Sequence, residues 1–214
     1  MRYVKGHGLQ TRSRIVEEAS RGLRQAGVDG ISVADLMKRA GLTHGGFYLH
    51  FESREALVIE AFTSAMDRTV SQWQEFMKEI PVEQRFDAFV GMYLRQGHRD
   101  DRTTGCVLPA LGADIARSTP KARRAFARKL DEMIEAVAGF FPQESPMQAR
   151  QIAISALATL MGSIALARAV GDKDLSDEIL GSGRQALCGG SRRRRAGASD
   201  EFPLAELSGG DQGT

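Results

Sequence analysis

The chain has 214 residues, of which 42% are hydrophobic and 26% charged, with 29 Lys and Arg against 27 Asp and Glu. This length allows one or two domains whose core needs neither disulfides nor a structural metal. The two cysteines, Cys106 and Cys188, lie 82 positions apart, which excludes a disulfide framework and favours a reducing compartment. The N-terminus has no apolar segment typical of secretion signals, so we expect a cytoplasmic protein.

The charges are unevenly distributed. Residues 1–54 carry nine Lys and Arg against five Asp and Glu, whereas residues 55–191 carry sixteen against eighteen. In residues 192–214 the two signs balance at four each. A basic N-terminal segment ahead of a mildly acidic remainder is typical of a polyanion-binding module joined to a second domain.

Three short helices are predicted in the basic segment. Apolar spacing predicts the first over residues 12–26. Ser32 is suited to cap a second helix, which ends at a turn containing Gly41, and Thr43 to cap a third that reaches about His50. Two helices joined by a short turn with glycine indicate a helix-turn-helix motif.

The third helix begins with two glycines. Gly45 and Gly46 each cost about 1 kcal/mol relative to alanine inside a helix, so their presence needs a reason. One reason is the close approach of the backbone to another surface, such as a DNA major groove. The other is a frayed first turn, and the sequence leaves both open.

The rest of the chain also predicts helices. A long helix capped by Ser53 ends before Pro81, and further helices follow up to Cys188, separated by a polar loop over residues 99–105. The apolar run Ile152–Val170 is shorter than the roughly 20 residues of a membrane span and is interrupted, so we expect a buried helix. No β pattern of useful length occurs, so the fold class is all-α. From Gly189 the composition predicts a disordered tail, in which Arg192–Arg195 either contact phosphates or are simply solvated.

The segment Gly41–Leu57 closely resembles the signature of TetR/AcrR-type transcriptional regulators. It has a glycine-hydrophobic turn, a short helix containing Tyr48, a following Phe51, and then Ser-Arg-Glu-Ala-Leu opening a long helix. The resemblance implies a helix-turn-helix DNA-binding domain over residues 1–54. It also implies a helical ligand-binding and dimerisation domain over 55–188, followed by the tail over 189–214.

The resemblance also implies roles in DNA binding. Base edges in the major groove would be read from the exposed end of the recognition helix, by Thr43, His44, Gly45 and Gly46. Phosphates would be held by Ser32, Tyr48, His50 and Arg54. Phe47 and Phe51 would be core. An N-terminal arm with further phosphate or minor-groove contacts would include Arg2, Lys5, Arg12 and Arg14.

A homodimer on palindromic double-stranded DNA is the assembly that the resemblance implies, with half-sites about 34–36 Å apart or a related spacing. The last two long helices would form the dimer interface, where the small residues of the run 156–167 permit close packing or simply pack within one chain. The protein would be a repressor released by a small-molecule effector, without cofactor, metal or membrane. The effector-pocket residues expected, each of which also suits an ordinary core, are Phe62, Trp73, Phe89, Tyr93, Leu111 and Met133.

Cys106 has two interpretations. It follows Gly105 and lies near His98, Arg99 and Arg102 in sequence, and positive potential lowers a thiol pKa and raises its reactivity. Some members of the resembled family sense oxidants or electrophiles through a cysteine in a comparable Gly-Cys segment. The alternative is a small buried hydrophobic residue, as the neighbouring valine and leucine suggest.

Other functions receive less support. An esterase would need a Gly-x-Ser-x-Gly element on a strand, and neither is present. The histidines at 7, 44, 50 and 98 lack zinc-site spacing. The glycine pair in Gly181-Ser182-Gly183 follows no strand and does not indicate a nucleotide site. A helical scaffold protein remains an alternative, and salt-sensitive, sequence-specific DNA binding would distinguish the two.

Overall fold

The computed structural model describes residues 5–30 and 32–195, and side chains over 8–30 and 32–189. The helices are α1 (Lys5–Ala26), α2 (Val33–Arg39), a 3₁₀ helix (His44–Leu49), α3 (Arg54–Met77), α4 (Val82–Tyr93), α5 (Gln96–Asp100), α6 (Leu108–Ala116), α7 (Pro120–Ala138), α8 (Pro146–Ala169) and α9 (Lys173–Arg195). No strand occurs in these two described ranges, and the all-α prediction is confirmed.

Several helix boundaries differ from the prediction. α1 begins at Lys5, seven residues before the predicted start, because the polar residues ahead of Arg12 give no apolar repeat to detect. α5 occupies the start of the predicted polar loop, for the same reason. α9 continues to Arg195, beyond the predicted end at Cys188. Arg2, residues 196–214 and the side chains of Lys5 and Arg192–Arg195 lie outside what the structure describes.

The first three helices pack into one unit around the start of α3. Ile15 and Leu23 of α1, Phe47 of the 3₁₀ helix and Leu57 of α3 are completely buried together. This burial stabilises the unit by about 1.5–3 kcal/mol for each such side chain. Ser53 accepts a hydrogen bond from the Ala56 N–H at 3.0 Å and caps α3 as predicted.

α3 and α7 run side by side in the same direction. Thr119 donates to Glu55 at their N-terminal ends, the rings of Phe62 and Phe126 are 6.1 Å apart further along, and Lys129 pairs with Asp67 at 2.7 Å. The residue offset between partners stays close to constant, which is the mark of a parallel pair. The beginning of α7 therefore lies beside the beginning of α3, next to the N-terminal unit.

α8 and α9 pack against each other on the other side of the molecule. α8 has a capping box at Ser145 and begins six residues before the predicted start at Ile152. It is the one helix within the described ranges that is long and apolar enough to cross a membrane, a test that core helices also pass. An uncovered apolar stripe, defined by exposed Met147, Ile154 and Ala158 and half-buried Ala165, follows one side of α8.

Candidate nucleic-acid interface and pocket

A tight turn joins α2 to the 3₁₀ helix. Gly41 has a φ of +72°, which favours glycine, and its N–H donates to the Lys38 carbonyl at 3.0 Å. The Leu42 N–H donates to the Met37 carbonyl at 2.8 Å. This pair of bonds is a Schellman motif, which fixes the angle between the two helices. Arg14 donates to the Ala40 carbonyl at 2.7 Å and holds the turn against α1.

The segment after the turn is a 3₁₀ helix of six residues, where an α-helix was expected. Thr43 is its N-cap residue, but the hydroxyl makes no capping hydrogen bond. Phe47 and Phe51 stack at 5.6 Å in the core, as expected, and anchor the segment. Tyr48 is 70% exposed and Leu49 81% exposed. The exposure of Leu49 was not predicted, because a leucine between Phe47 and Phe51 suits the core equally well.

No contact inside the protein explains the two glycines of this segment. A Cβ added to Gly45 would meet nothing within 4 Å, and one added to Gly46 would make only ordinary contacts at 3.7 Å. Neither has a positive φ. Thr43, His44 and Gly45 are exposed together beside Tyr48. The four form a contiguous outward surface with little side-chain bulk.

The expected phosphate ligands surround this surface unevenly. Ser32 caps α2 by accepting from the Asp35 N–H at 3.3 Å and is exposed. His50 is half-buried, whereas Arg54 is exposed and donates to the Val28 carbonyl. Arg12, expected in an arm, instead pairs with Glu60, donates to the His50 carbonyl and lies 4.3 Å over the Phe51 ring.

A cavity of about 260 Å³ opens between α3, α4 and the loop before α6. The predicted pocket residues Trp73, Tyr93 and Cys106 line it, together with Thr69, Gln72, Met92, Arg95, Gly97, His98, Asp101, Thr104 and Gly105. Phe62, Phe89, Leu111 and Met133 do not line it. All four are completely buried in the core, where Phe89 backs the wall by packing at 4.8 Å against Trp73.

One polar group in the cavity wall is unsatisfied. Within the described residues, the buried Tyr93 hydroxyl makes no hydrogen bond of normal geometry, and the weakly polar Cys106 thiol is its neighbour. Burial raises the pKa of Tyr93, so the phenol is neutral. A buried polar group without a partner costs about 1–3 kcal/mol, which a ligand that bonds to it would recover.

His98 organises the loop that closes the cavity. Its Nδ1 donates to the Tyr93 carbonyl at 2.6 Å, and its Nε2 accepts from the Cys106 N–H at 3.1 Å. These partners fix one neutral tautomer, and burial lowers the pKa of His98. A Cβ on Gly105 would lie 2.6 Å from the ring, so the close approach requires glycine there. Sequence spacing could not reveal this role for His98.

The Cys106 thiol is not activated. It is 5% exposed, and burial raises its pKa rather than lowering it. The cations nearby in sequence are turned elsewhere, because Arg99 pairs with Asp100 and Asp177 and Arg102 donates to the Arg168 carbonyl. Of the two interpretations of Cys106, the structure supports the small buried hydrophobic residue and contradicts a lowered thiol pKa.

Two polar contacts join the cavity side of the molecule to the N-terminal unit. Arg24 of α1 donates from Nε to the Gly105 carbonyl at 2.7 Å. Asp114 of α6 accepts from the Val28 N–H at 2.8 Å, in the turn after α1. The peptide group between Gly105 and Cys106 is thus held from both sides, by Arg24 through its carbonyl and by His98 through its N–H. These partners are far apart in sequence, which is why spacing did not reveal them.

The part of the chain that the structure describes contains no cluster of side chains suited to a metal ion. No group of three His, Cys, Asp or Glu side chains there could hold a metal ion together. The outward 3₁₀ helix and the cavity are the candidate sites for DNA and for a small molecule.

Comparison with known proteins places the N-terminal unit. Residues 15–61 match the profile described as bacterial regulatory proteins, tetR family. Rv0196 of Mycobacterium tuberculosis H37Rv, an uncharacterized HTH-type transcriptional regulator, is 27% identical over 73% of this chain and 84% of its own. Shorter matches at 32% identity are the uncharacterized HTH-type regulator YdgC of Bacillus subtilis, over 30% of this chain and 33% of YdgC, and the HTH-type transcriptional repressor DhaR of Mycobacterium sp. GP1, over 38% and 42%.

Solved structures share the whole fold. A TetR-family regulator from Cytophaga hutchinsonii superposes with a TM-score of 0.72 at 20% identity, covering 88% of this chain and 98% of its own. The reduced form of Escherichia coli NemR gives a TM-score of 0.71 at 19% identity, covering 84% and 96%. Fold, helix-turn-helix and relatives together define a helix-turn-helix transcriptional regulator. Residues 15–61 form a helix-turn-helix domain of the TetR family, and the chain as a whole has the fold of TetR-family regulators.

Proposed function

We propose that the protein is a homodimeric, cytoplasmic repressor that binds a palindromic operator and is released from it by a small molecule. Base reading is assigned to Thr43 and His44, and the glycines after them let the backbone approach the major-groove floor. This proposal rests on the outward surface, because no contact inside the protein requires its glycines. DhaR, one of the similar proteins, is named a repressor, which supports repression rather than activation.

Footprinting of the purified dimer on its own upstream DNA tests the proposal. We expect protection of two half-sites about one helical turn apart, with affinity falling steeply as salt rises. A flat salt response without sequence preference would favour the helical scaffold alternative. Phosphate contacts from Ser32, Tyr48, His50 and Arg54 would show as losses of affinity that do not depend on base sequence.

The dimer interface is assigned to α8 and α9. The uncovered stripe of α8 is apolar and small, and a groove of about 530 Å³ lies beside it, lined in part by Ile152, Ser155 and Leu187. Association through this stripe accounts for an apolar helix that is only partly buried in one chain. Ile154→Glu should yield monomers in sedimentation velocity. Phe76→Glu, an equally exposed position on α3, should leave the dimer intact, since both side chains are 45% exposed.

The 260 Å³ cavity is the proposed effector site. The groove near α8 is larger, but the cavity contains the unsatisfied Tyr93 hydroxyl and touches the loop that Arg24 holds. We infer a compact, mostly apolar, uncharged effector that presents a hydrogen-bond acceptor to Tyr93. Its entry would shift the Gly105–Cys106 peptide, weaken the Arg24 contact and reorient α1. The domain boundaries proposed for this coupling are 1–54 and 55–188.

A small-molecule screen for release of the operator tests this site. We expect hits to quench Trp73 emission, and we expect Tyr93→Phe to weaken their binding while leaving DNA affinity unchanged. Hits that release DNA without any effect from Tyr93→Phe would move the effector site elsewhere.

Modification of Cys106 is a second candidate switch, because this thiol lines the cavity. In such a step the sulfur would add to the β-carbon of an α,β-unsaturated carbonyl compound, the carbon–carbon π bond would break, and the thiol proton would be transferred through solvent to the α-carbon. The raised thiol pKa makes the reaction slow at neutral pH. Release of DNA by an electrophile should be lost in Cys106→Ser and retained in Cys188→Ser. Retention in Cys106→Ser would remove this candidate.

A further inference from the structure

The first half of α7 carries a group of exposed cations. Lys121, Arg124 and Arg128 follow one face of the helix, and Arg123 lies beside them. The ion pairs of α7 found among the described residues involve Lys129 and the acids of its second half, and none of these four side chains. We call the four residues the cationic face.

The electrostatics of the helix itself do not favour this arrangement. The N-terminal end of a helix carries partial positive charge, which acids stabilise and cations oppose by a few tenths of a kcal/mol each. The first turn of α7 has no acid, whereas Asp131, Glu132 and Glu135 lie toward the C-terminal end. Like charges four residues apart, such as Arg124 and Arg128, repel each other further. The Glu55 carboxylate, which accepts from the N-cap residue Thr119, offsets part of this cost, and an anion outside the chain would offset more of it.

The cationic face adjoins the expected phosphate contacts. Because α7 runs parallel to α3, its first turn lies beside Glu55, the neighbour of Arg54. Arg54 donates to the Val28 carbonyl, the Val28 N–H donates to Asp114, and Asp114 pairs with Arg117 at 2.8 Å. A series of hydrogen bonds and one ion pair therefore links Arg54, across the turn after α1, to Arg117, which lies just before α7.

We propose that the cationic face binds the phosphates of DNA that flanks each half-site. The inference rests on the proposed operator binding and extends the DNA footprint beyond residue 54. Lys121 and Arg128 are seven positions apart, about 10 Å along the helix axis, which equals the rise of roughly three base pairs along the DNA axis. Since α7 leads away from the N-terminal unit, Lys121 contributes most and Arg128 least.

The test compares two duplexes by fluorescence anisotropy over a salt series. The short duplex contains only the footprinted half-sites, and the long duplex adds flanking sequence on both sides. For the full-length double variant Lys121→Gln with Arg124→Gln, we expect weaker binding to the long duplex only. The slope of log affinity against log salt should decrease by about 0.9 for each lost phosphate contact. The loss should be the same when the flanking sequence is changed.

Lys78→Gln is the matched control. It removes one positive charge, as Lys121→Gln alone does, at the far end of α3, about 36 Å along the helix from Arg54, and should leave both slopes at their wild-type values. Arg128→Gln should change the slope less than Lys121→Gln.

An unchanged slope for the double variant on the long duplex would overturn the cationic face and leave the proposed function intact. Equal weakening on both duplexes would overturn the flanking position. If the wild-type protein showed no preference for the footprinted sequence over unrelated DNA, the proposed function itself would fail, and the two failures are thus distinguishable.

Discussion

The 3₁₀ segment and the loop at Gly105 use glycine for opposite reasons. At Gly45 the space where a Cβ would lie is empty, and the neighbouring side chains point outward. At Gly105 the same space is filled by the His98 ring, and the adjoining peptide is bonded on both sides. A substitution on an exposed binding surface should leave the stability of the protein unchanged, whereas a substitution in a packed junction should lower it. One substitution, glycine to alanine, should therefore have different consequences in the two regions.

The largest effect is expected for Gly105→Ala. The new methyl group would overlap the His98 ring, and overpacking of this kind typically costs about 1–3 kcal/mol. Thermal unfolding should show a melting temperature lower by a few degrees for each kcal/mol. Gly91→Ala, in α4, meets nothing within 4 Å and is the matched control, which should not destabilise the protein.

Gly45→Ala should separate binding from stability. We expect the free energy of unfolding to stay the same or rise by up to about 1 kcal/mol. Operator affinity should fall about tenfold, or roughly 1.4 kcal/mol, because the methyl group enters the space between backbone and DNA. Unchanged affinity in the anisotropy assay would instead favour the frayed-turn explanation of the two glycines.

Acid should weaken the packed junction. Burial lowers the pKa of His98 below its ordinary value of 6.5, so the unfolded chain takes up this proton at a higher pH than the folded one. Stability from neutral His98 is fully present above pH 6.5 and falls as the pH decreases through the folded pKa, by at most about 1.4 kcal/mol per pH unit. Denaturant unfolding between neutral pH and about pH 5 measures this slope. His98→Gln should be less stable at neutral pH but show a shallower dependence, and an equally steep one would assign the slope to other groups.

Tyr93→Phe should have the smallest effect on folding. Burial of the hydroxyl costs about 1–3 kcal/mol, and the neighbouring Cys106 thiol offsets part of this cost. Removing the hydroxyl should therefore raise the free energy of unfolding by no more than about 1 kcal/mol. Chemical denaturation checks this value. A clear loss of stability would show that the hydroxyl has a partner in solution, such as a bound water.

The sequence predicted the N-terminal unit well because its signals are local. The turn glycine, the cap residues Ser32 and Ser53, and the buried pair Phe47 and Phe51 all lie within one short stretch. The same stretch could not show that the third helix is 3₁₀, because spacing alone does not distinguish i+3 from i+4 hydrogen bonding over six residues.

The cavity was predicted only in part, because tertiary contacts create it. Large apolar side chains are equally suited to a pocket wall and to a core, and Phe62 and Met133 proved to be core. Polar groups distinguish the cavity from an ordinary core. They are an unsatisfied tyrosine, a histidine with a fixed tautomer, and a contact from Arg24 that spans 81 positions of sequence. None of these features can be predicted from the spacing of residues in the sequence.

The position of Trp73 has a practical consequence. It is the single tryptophan in the sequence, and it lies edge-on to Phe89 at the cavity wall. Selective excitation of indole therefore gives an optical signal from one known place, 4% exposed to solvent, without any label. The fluorescence of Trp73 therefore reports whether the cavity of the native protein is occupied. The rate at which this fluorescence changes can be compared directly with the rate of DNA release.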